Sequence, residues 1–301
     1  MSALTVRKRA SAASEYGFSI VNDFILILFT LICLYPFYYI FIYSISDPIQ
    51  AQGGLTLLPK GFSLFTYIQI FKLNGMLNAT VISVMRTVIG TILTVFCCSL
   101  FAYLMTNEKF PGRKFFYRFL IITMYFNAGL IPWYLVMKFL HLNNNFLLYI
   151  LPSSVVAFYV ILAKTYIEQL PRSLEDSAKI DGARCFTIYS KIIFPICVPI
   201  IATIAVFAAV GQWNTWFDNF FLVSDKRLNV LQLMLYNYLS TASSIAQASA
   251  MDINRGSFVK RLTPESVRMT ITMAVTLPII FAYPFMQKYF IKGIMLGAIK
   301  G

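Results

Sequence analysis

The stretch EDSAKIDGARCFTIYSKIIFP, Glu175 to Pro195, holds six charged residues among its 21, with Gly182 inside it and long apolar runs on either side. Pro171 and Ser173 are start signals for a helix over Leu174–Ile180, and Glu175 and Asp176 suit a first turn, where the positive end of the helix dipole lies. Gly182 then ends the helix or lets another backbone come close. Ile188, Ile192 and Ile193 lead through Pro195 into the next apolar run. The expectation is a short helix, a turn and a second helix lying along a membrane face, a shape that suits a partner's groove. The plainer alternative is a solvated loop.

The neighbours of this stretch settle the class. Hydrophobic residues make up 58% of the 301 and charged residues 12%, with a mean hydropathy of +0.71. Soluble domains run to about 45–50% apolar and ~25% charged, so this chain lacks the polar surface to cover a globule. It reads as an all-α integral membrane protein. The net charge of +13 does not point to nucleic acid, because the basic residues fall in short gaps between apolar runs rather than on one soluble face.

A hydrocarbon core ~30 Å thick takes about 20 helical residues to cross. Six stretches qualify, at 20–45, 79–105, 119–139, 146–166, 192–212 and 268–290. The first follows Arg7, Lys8 and Arg9 but is longer than a signal-peptide core of ~7–15 residues and has no small-x-small site after it; it reads as an uncleaved span. With the amino end inside, 15 of the 25 Lys and Arg fall on the inner side and nine outside, and Arg86 is left within a span. Six of the nine lie in the long segment after residue 212, and long loops count for little in this rule. Cytoplasmic amino and carboxyl ends follow. The chain then divides into a cytoplasmic segment 1–19 and a membrane domain 20–301, with a cytoplasmic loop 167–191 and an external segment 213–267. An earlier external segment, 46–78, carries the aromatic-rich SLFTYIQIFK and suits the interface, and NVLQLMLYNYL (229–239) reads as an amphipathic helix outside the membrane.

Catalytic and metal chemistry find little support. The five cysteines show no CxxC spacing and His141 is the sole histidine, so neither a zinc ligand set nor a disulfide framework emerges. No G-x-x-x-x-G-K-[ST] loop occurs; if ATP drives this protein, another chain binds it. Arg86 lies about 8 residues from the outer end of its span, ~12 Å deep by helix rise. Such a charge is costly there and faces a bundle interior or water: either it is paired or snorkelling, or it lines a path and meets sugar hydroxyls or carboxylates. Trp213, Trp216 and Asp218 follow the fifth span. They suit sugar recognition by stacking and hydrogen bonding, and the tryptophans equally suit an interfacial belt.

The charged stretch resembles the EAA loop of binding-protein-dependent ABC importer permeases, with a pattern near E-A-A-x-x-D-G-A and then I-x-L-P. Asp176, Ser177 and Ala178 stand at E-A-A; Asp181, Gly182 and Ala183 supply D-G-A; Ile192, Phe194 and Pro195 match I-x-L-P, with Pro195 13 residues after Gly182. Asp replaces Glu and Ser replaces the first Ala, while Glu175 keeps a second acid alongside. The ending YFIKGIMLGAIKG and the segment QWNTWFDNFF (Gln212–Phe221) also look like maltose-type sugar permeases, and the Arg86 region is similar to the subgroup serving polysaccharide fragments.

The resemblance implies the six-helix type I ABC importer permease fold in a bacterial inner membrane. It implies a second, homologous permease subunit, two ATPase subunits that carry ATP and Mg and take up the 175–195 loop, and an external solute-binding protein delivering an oligosaccharide. No cofactor is expected on this chain. Arg255, Lys260 and Arg261 are candidate contacts for the binding protein, and Gly297–Gly301 for the ATPases. An acidic substrate is suggested only by Arg86 and by the subgroup likeness. The competing classes are an ion-coupled secondary transporter or channel, for which neither repeat nor intramembrane carboxylate cluster is evident, and a membrane-embedded enzyme.

Overall fold

The computed structural model describes residues 3–54, 57–72, 75–249 and 263–298, with side chains except at 3–17, 52–53, 241–249, 264 and 285–298. Among the described residues the regular structure is helical, with a single isolated antiparallel bridge between Ser46 and Phe62. Two units share the chain: residues 1–70 with 242–273, and residues 71–241 with 274–301.

In the first unit α1 (Ala3–Ser44) includes a 27-residue apolar stretch, Phe18–Ser44, long enough to cross a bilayer. Its large side chains, such as Phe24, Phe29 and Ile32, are exposed within the chain, as suits a helix facing lipid or another subunit. Beyond it, Asp47 organises a turn: its carboxylate accepts the Ile49 and Gln50 amides at 3.0 and 3.2 Å. The short α2 (Phe65–Lys72) follows, and its Tyr67 hydroxyl meets Ser44 Oγ at 2.9 Å. The aromatic stretch expected at the interface is thus helical and tied to the end of α1.

The second unit is built on α3 (Met76–Thr106), 31 residues long. Next come α4 (Arg113–Tyr125), α5 (Leu130–Phe139), the single turn α6 (Leu147–Ile150) and α7 (Ala157–Ile167). Then come α8 (Ser173–Ile180), α9 (Cys185–Ile188), a π-turn over Tyr189–Ile193, α10 (Phe194–Ile196) and α11 (Val198–Asn214). The chain continues through α12 (Phe217–Leu222), α13 (Leu231–Ser249) and α14 (Pro264–Ala298). The core lies where α3 packs along α7 and α11, around Cys98, Ala102, Val160, Ala163, Ile200 and Ile204.

Three of the expected spans, the first, second and last, are single long apolar helices. The other three differ from unbroken helices. The 119–139 span is α4 and α5 separated at Phe126–Gly129, where Asn127 Oδ1 accepts the Gly129 amide at 2.9 Å and Gly129 sits at φ +82°. The 146–166 span is interrupted between α6 and α7. Pro152 has no amide to donate, and side chains of α3 take up the freed groups. Thr94 donates to the Ser153 carbonyl at 2.9 Å, and Cys98 Sγ lies 3.3 Å from the Val156 amide. A neighbouring helix that satisfies the opened backbone is what lets such a break exist in a membrane. The 192–212 span starts at Val198: residues 185–196 lie at 84° to α11, with Cys197 at the elbow. Pro199 in the first turn of α11 would clash with the carbonyl four residues earlier in a straight helix. The expected helix near 229–239 is present as α13.

Candidate functional site

Two places in the second unit gather the singled-out residues. The first is α8. Glu175 and Asp176 occupy its first turn, and Lys179 reaches both carboxylates at 3.3 Å. Its end explains the D-G-A triplet. Asp181 caps the helix, Gly182 turns left-handed at φ +79°, the Gly182 amide donates to the Lys179 carbonyl at 3.1 Å, and the Ala183 amide to the Ala178 carbonyl at 2.9 Å. These two bonds define a Schellman cap, whose left-handed position favours glycine. Ala178 is buried in the core and Ala183 packs against it, so small residues at both ends of the cap seat the helix. The opposite side stays open: Ile180 is 86% exposed, Asp176 and Ser177 are exposed, and no atom lies within 4 Å of a Cβ built at Gly182. Pro195 belongs to α10, beyond the π-turn, and forms part of the elbow rather than of α8. Just before α8, the exposed Arg172 pairs with the exposed Glu108 at 3.1 Å, and both line a cleft of about 570 Å³.

The second place is the end of α11. There the helix stops at Asn214, the chain turns through Thr215, and α12 begins with Asp218 in its first turn. Arg86, 3% exposed on α3, reaches across to this turn. Its Nη1 and Nη2 donate to Asp218 Oδ1 and Oδ2 at 2.9 and 2.5 Å. Nη1 also donates to the Thr215 carbonyl at 3.0 Å, and Nε to Gln212 Oε1 at 2.9 Å. The Thr215 carbonyl is one of the acceptors left over where a helix ends. The Tyr149 ring lies 4.7 Å from the guanidinium carbon, within cation–π range. Gln212 Nε2 donates to Ser153 Oγ at 2.5 Å, which links the pair to the break before α7. Gly90 makes room for this: a Cβ there would stand 2.7 Å from Gln212 Nε2.

The pair borders a cavity of about 550 Å³, within the ~300–1,000 Å³ of small-molecule sites. Asn127, Trp133, Ser153, Tyr159 and Phe217 line it together with Arg86 and Asp218. Arg86 is therefore both a paired arginine and a wall of the cavity. Trp213 and Trp216 are not in that wall. The Trp213 indole donates to the Val275 carbonyl at 3.0 Å, and Trp216 stacks on Tyr236 at 4.4 Å and 14°. Arg255, Lys260 and Arg261 lie outside the described residues. Gln212, Asn127 and Trp133 are not singled out by sequence reasoning. The available signal for Gln212 was an amide at the end of an apolar run, and Asn127 and Trp133 gave none. Among the described residues no three His, Cys, Asp or Glu side chains come together as a metal site.

The chain as a whole is similar to known proteins. The chain is 34% identical to the polygalacturonan/rhamnogalacturonan transport system permease protein YtcP of Bacillus subtilis (strain 168) over 95% of this chain and 96% of that protein. It is 33% identical to protein LplC of the same organism over 90% of each. A crystal structure of a bacterial ABC transporter involved in the import of the acidic polysaccharide alginate contains a chain that superposes with a TM-score of 0.81 at 29% identity, covering 92% of this chain and 98% of that one. The model of the family described as binding-protein-dependent transport system inner membrane component matches residues 95–296. The chain belongs to that family of ABC transporter permeases.

Proposed function

We propose that this chain is one of two permease subunits of an inner-membrane importer that takes up oligosaccharides handed over by an external binding protein. ATP and Mg belong to two partner ATPase subunits, and this subunit performs no chemistry. Six crossings are assigned: α1, α3, α4 with α5, α6 with α7, α11 and α14. Both ends lie in the cytoplasm with segment 1–19, as the excess of inner Lys and Arg supports. Loop 167–191 lies on that side and 213–267 on the other.

The observation that carries the reading is α8 with its Schellman cap at the place of the EAA pattern. A short helix held at its end by Gly182 and Ala183, with Ile180 projecting, suits docking into an ATPase cleft. Glu175, Asp176, Ser177, Ala178, Asp181, Gly182 and Ala183 form this joint, and Pro195 helps set the elbow through which movement of α8 reaches α11. Closure of the ATPase pair would then bias a two-state bundle. The cavity beside Arg86 and Asp218 is assigned to the solute path, and the external segment holding Arg255, Lys260 and Arg261 to the binding protein.

Oligosaccharide as the cargo class rests on the relatives: polygalacturonan/rhamnogalacturonan for one, alginate for the structural neighbour, arabinooligosaccharides for AraQ of Bacillus subtilis (strain 168), 26% identical. Co-purification tests the whole reading. The chain should bring down a homologous permease and an ATPase whose hydrolysis rises with saccharide-loaded binding protein. A solitary, ion-coupled transporter would overturn it.

A further inference from the structure

The cavity beside α12 carries information about charge. Its wall contains two charged side chains, Arg86 and Asp218. A guanidinium has five N–H donors, and four of those of Arg86 are committed: one to Gln212, one to the Thr215 carbonyl and two to Asp218. Tyr149 covers its face. Asp218 accepts from Arg86 with both oxygens and from the Asn219 amide at 2.8 Å with Oδ1. The side chains of the pair are 3% and 10% exposed. One Nη2 N–H is left over, but an incoming carboxylate could be held bidentately only by displacing Asp218 from a largely desolvated partner, and such fork-to-fork bonds are among the strongest available.

Apart from one remaining N–H of Arg86, the groups that remain free at this cavity are neutral. Asn127, Trp133 and Tyr159 line it, and the amide nitrogen, indole N–H and hydroxyl of these side chains make no hydrogen bond among the described residues. Trp133 and Phe217 stand 5.8 Å apart at 48°, giving an aromatic corner. Flat apolar faces with a few polar groups are what ring-shaped, hydroxyl-bearing ligands fit.

We propose that this cavity receives an uncharged, hydroxyl-bearing part of the saccharide, with Trp133 as its platform, and that it does not read carboxylates. Arg86 and Asp218 are positioning residues that clamp α3 to the Thr215–Asp218 turn. Selection for an acidic cargo, where the assembled importer has it, then resides on other chains. The inference rests on the oligosaccharide reading above, and it reverses the expectation that Arg86 marks an acidic substrate.

Equilibrium dialysis on the purified permease pair tests it, with a labelled uronic-acid oligosaccharide and its carboxyl-reduced, neutral counterpart as probes. Trp133→Ala should weaken both probes by about fivefold or more, with Trp133→Phe in between. Arg86→Met/Asp218→Leu, or Arg86→Gln/Asp218→Asn where the first does not assemble, should leave the ratio of the two affinities within about twofold of wild type. Selective loss of the uronic-acid probe in either pair variant would make Arg86 an anion receptor and overturn the proposal. So would unchanged affinities in Trp133→Ala. Failure of the wild-type pair to bind either probe, with ATPase stimulation by a different loaded solute, would instead reject the oligosaccharide reading itself and this inference with it.

Discussion

Arg86 and Asp218, 132 residues apart, meet in a buried bidentate pair that joins the amino-terminal half of α3 to the first turn of α12. Around them the Tyr149 hydroxyl holds the Leu228 carbonyl at 2.6 Å, Asn219 Oδ1 accepts the Val230 amide at 3.0 Å, and Ser83 Oγ accepts the Leu231 amide at 2.8 Å. With the Tyr149 and Ser83 bonds, the charge pair fastens the chain after α11 to α3 and α6, while the Asn219 bond ties that chain to itself.

Removing one partner of such a pair leaves the other charge buried and unmatched. Asp218→Ala should destabilise by about 3–5 kcal/mol. Arg86→Met/Asp218→Leu should be far milder, because two apolar side chains of similar size remove the desolvation cost along with the attraction. Thermal unfolding of the detergent-purified chain checks this, and a double variant as unstable as Asp218→Ala would sink the argument.

Gly90 and Gln212 are coupled by contact. An alanine Cβ at residue 90 would press on Gln212 Nε2, Cδ and Cγ at 2.7, 2.8 and 3.2 Å. Gln212 is 5% exposed and bonded at both ends, so it yields only by losing Arg86 or Ser153. Gly90→Ala should cost about 1–3 kcal/mol, and Gly90→Ala/Gln212→Ala should be no worse than Gln212→Ala alone. Unfolding midpoints of the three variants decide it; strict additivity would deny the coupling.

Hydropathy made the long spans legible, because α1, α3 and α14 need nothing but apolar length. The capped α8 was legible too, since its signals are local: Glu175 and Asp176 at the start, Gly182 at the end. The interruptions at 126–129 and 151–156 were not. A window over 119–139 or 146–166 counts apolar side chains and cannot see Thr94 and Cys98 on another helix taking up the backbone groups that the break frees. Arg86 was readable as an anomaly within a span, but its partner lies beyond another eight helices, α4 to α11, in the sequence. Trp213 and Trp216 looked like Asp218's companions by proximity in the chain. Their rings instead found Val275 and Tyr236.

The Pro152 break depends on its supporting side chains. Thr94→Val keeps the shape of the side chain but leaves the Ser153 carbonyl without its 2.9 Å donor. The expected loss is about 1–3 kcal/mol for a buried acceptor left unpaired. Thr94→Ser, which keeps the hydroxyl, should recover most of it. Equal losses in the two variants, read by thermal unfolding, would show that the hydroxyl is not what holds the break.

Gly182 separates backbone strain from steric bulk. A Cβ there meets nothing within 4 Å, yet φ is +79°, where an ordinary L-residue pays roughly 1–2 kcal/mol. Gly182→Ala should therefore loosen the cap that seats α8 without creating a clash. Gly182→Asn should do so less, because asparagine tolerates the left-handed region better. Because a Cβ at Gly182 meets nothing within 4 Å, core packing is untouched, and insertion and yield should stay near wild type in both. The readout is ATP hydrolysis by the reconstituted importer with loaded binding protein: reduced stimulation for Gly182→Ala, a smaller reduction for Gly182→Asn, and uptake falling in parallel. If side-chain size alone mattered, asparagine would be the worse of the two. The order of these variants therefore tests whether the shape of the α8 cap, rather than open space around it, carries the coupling.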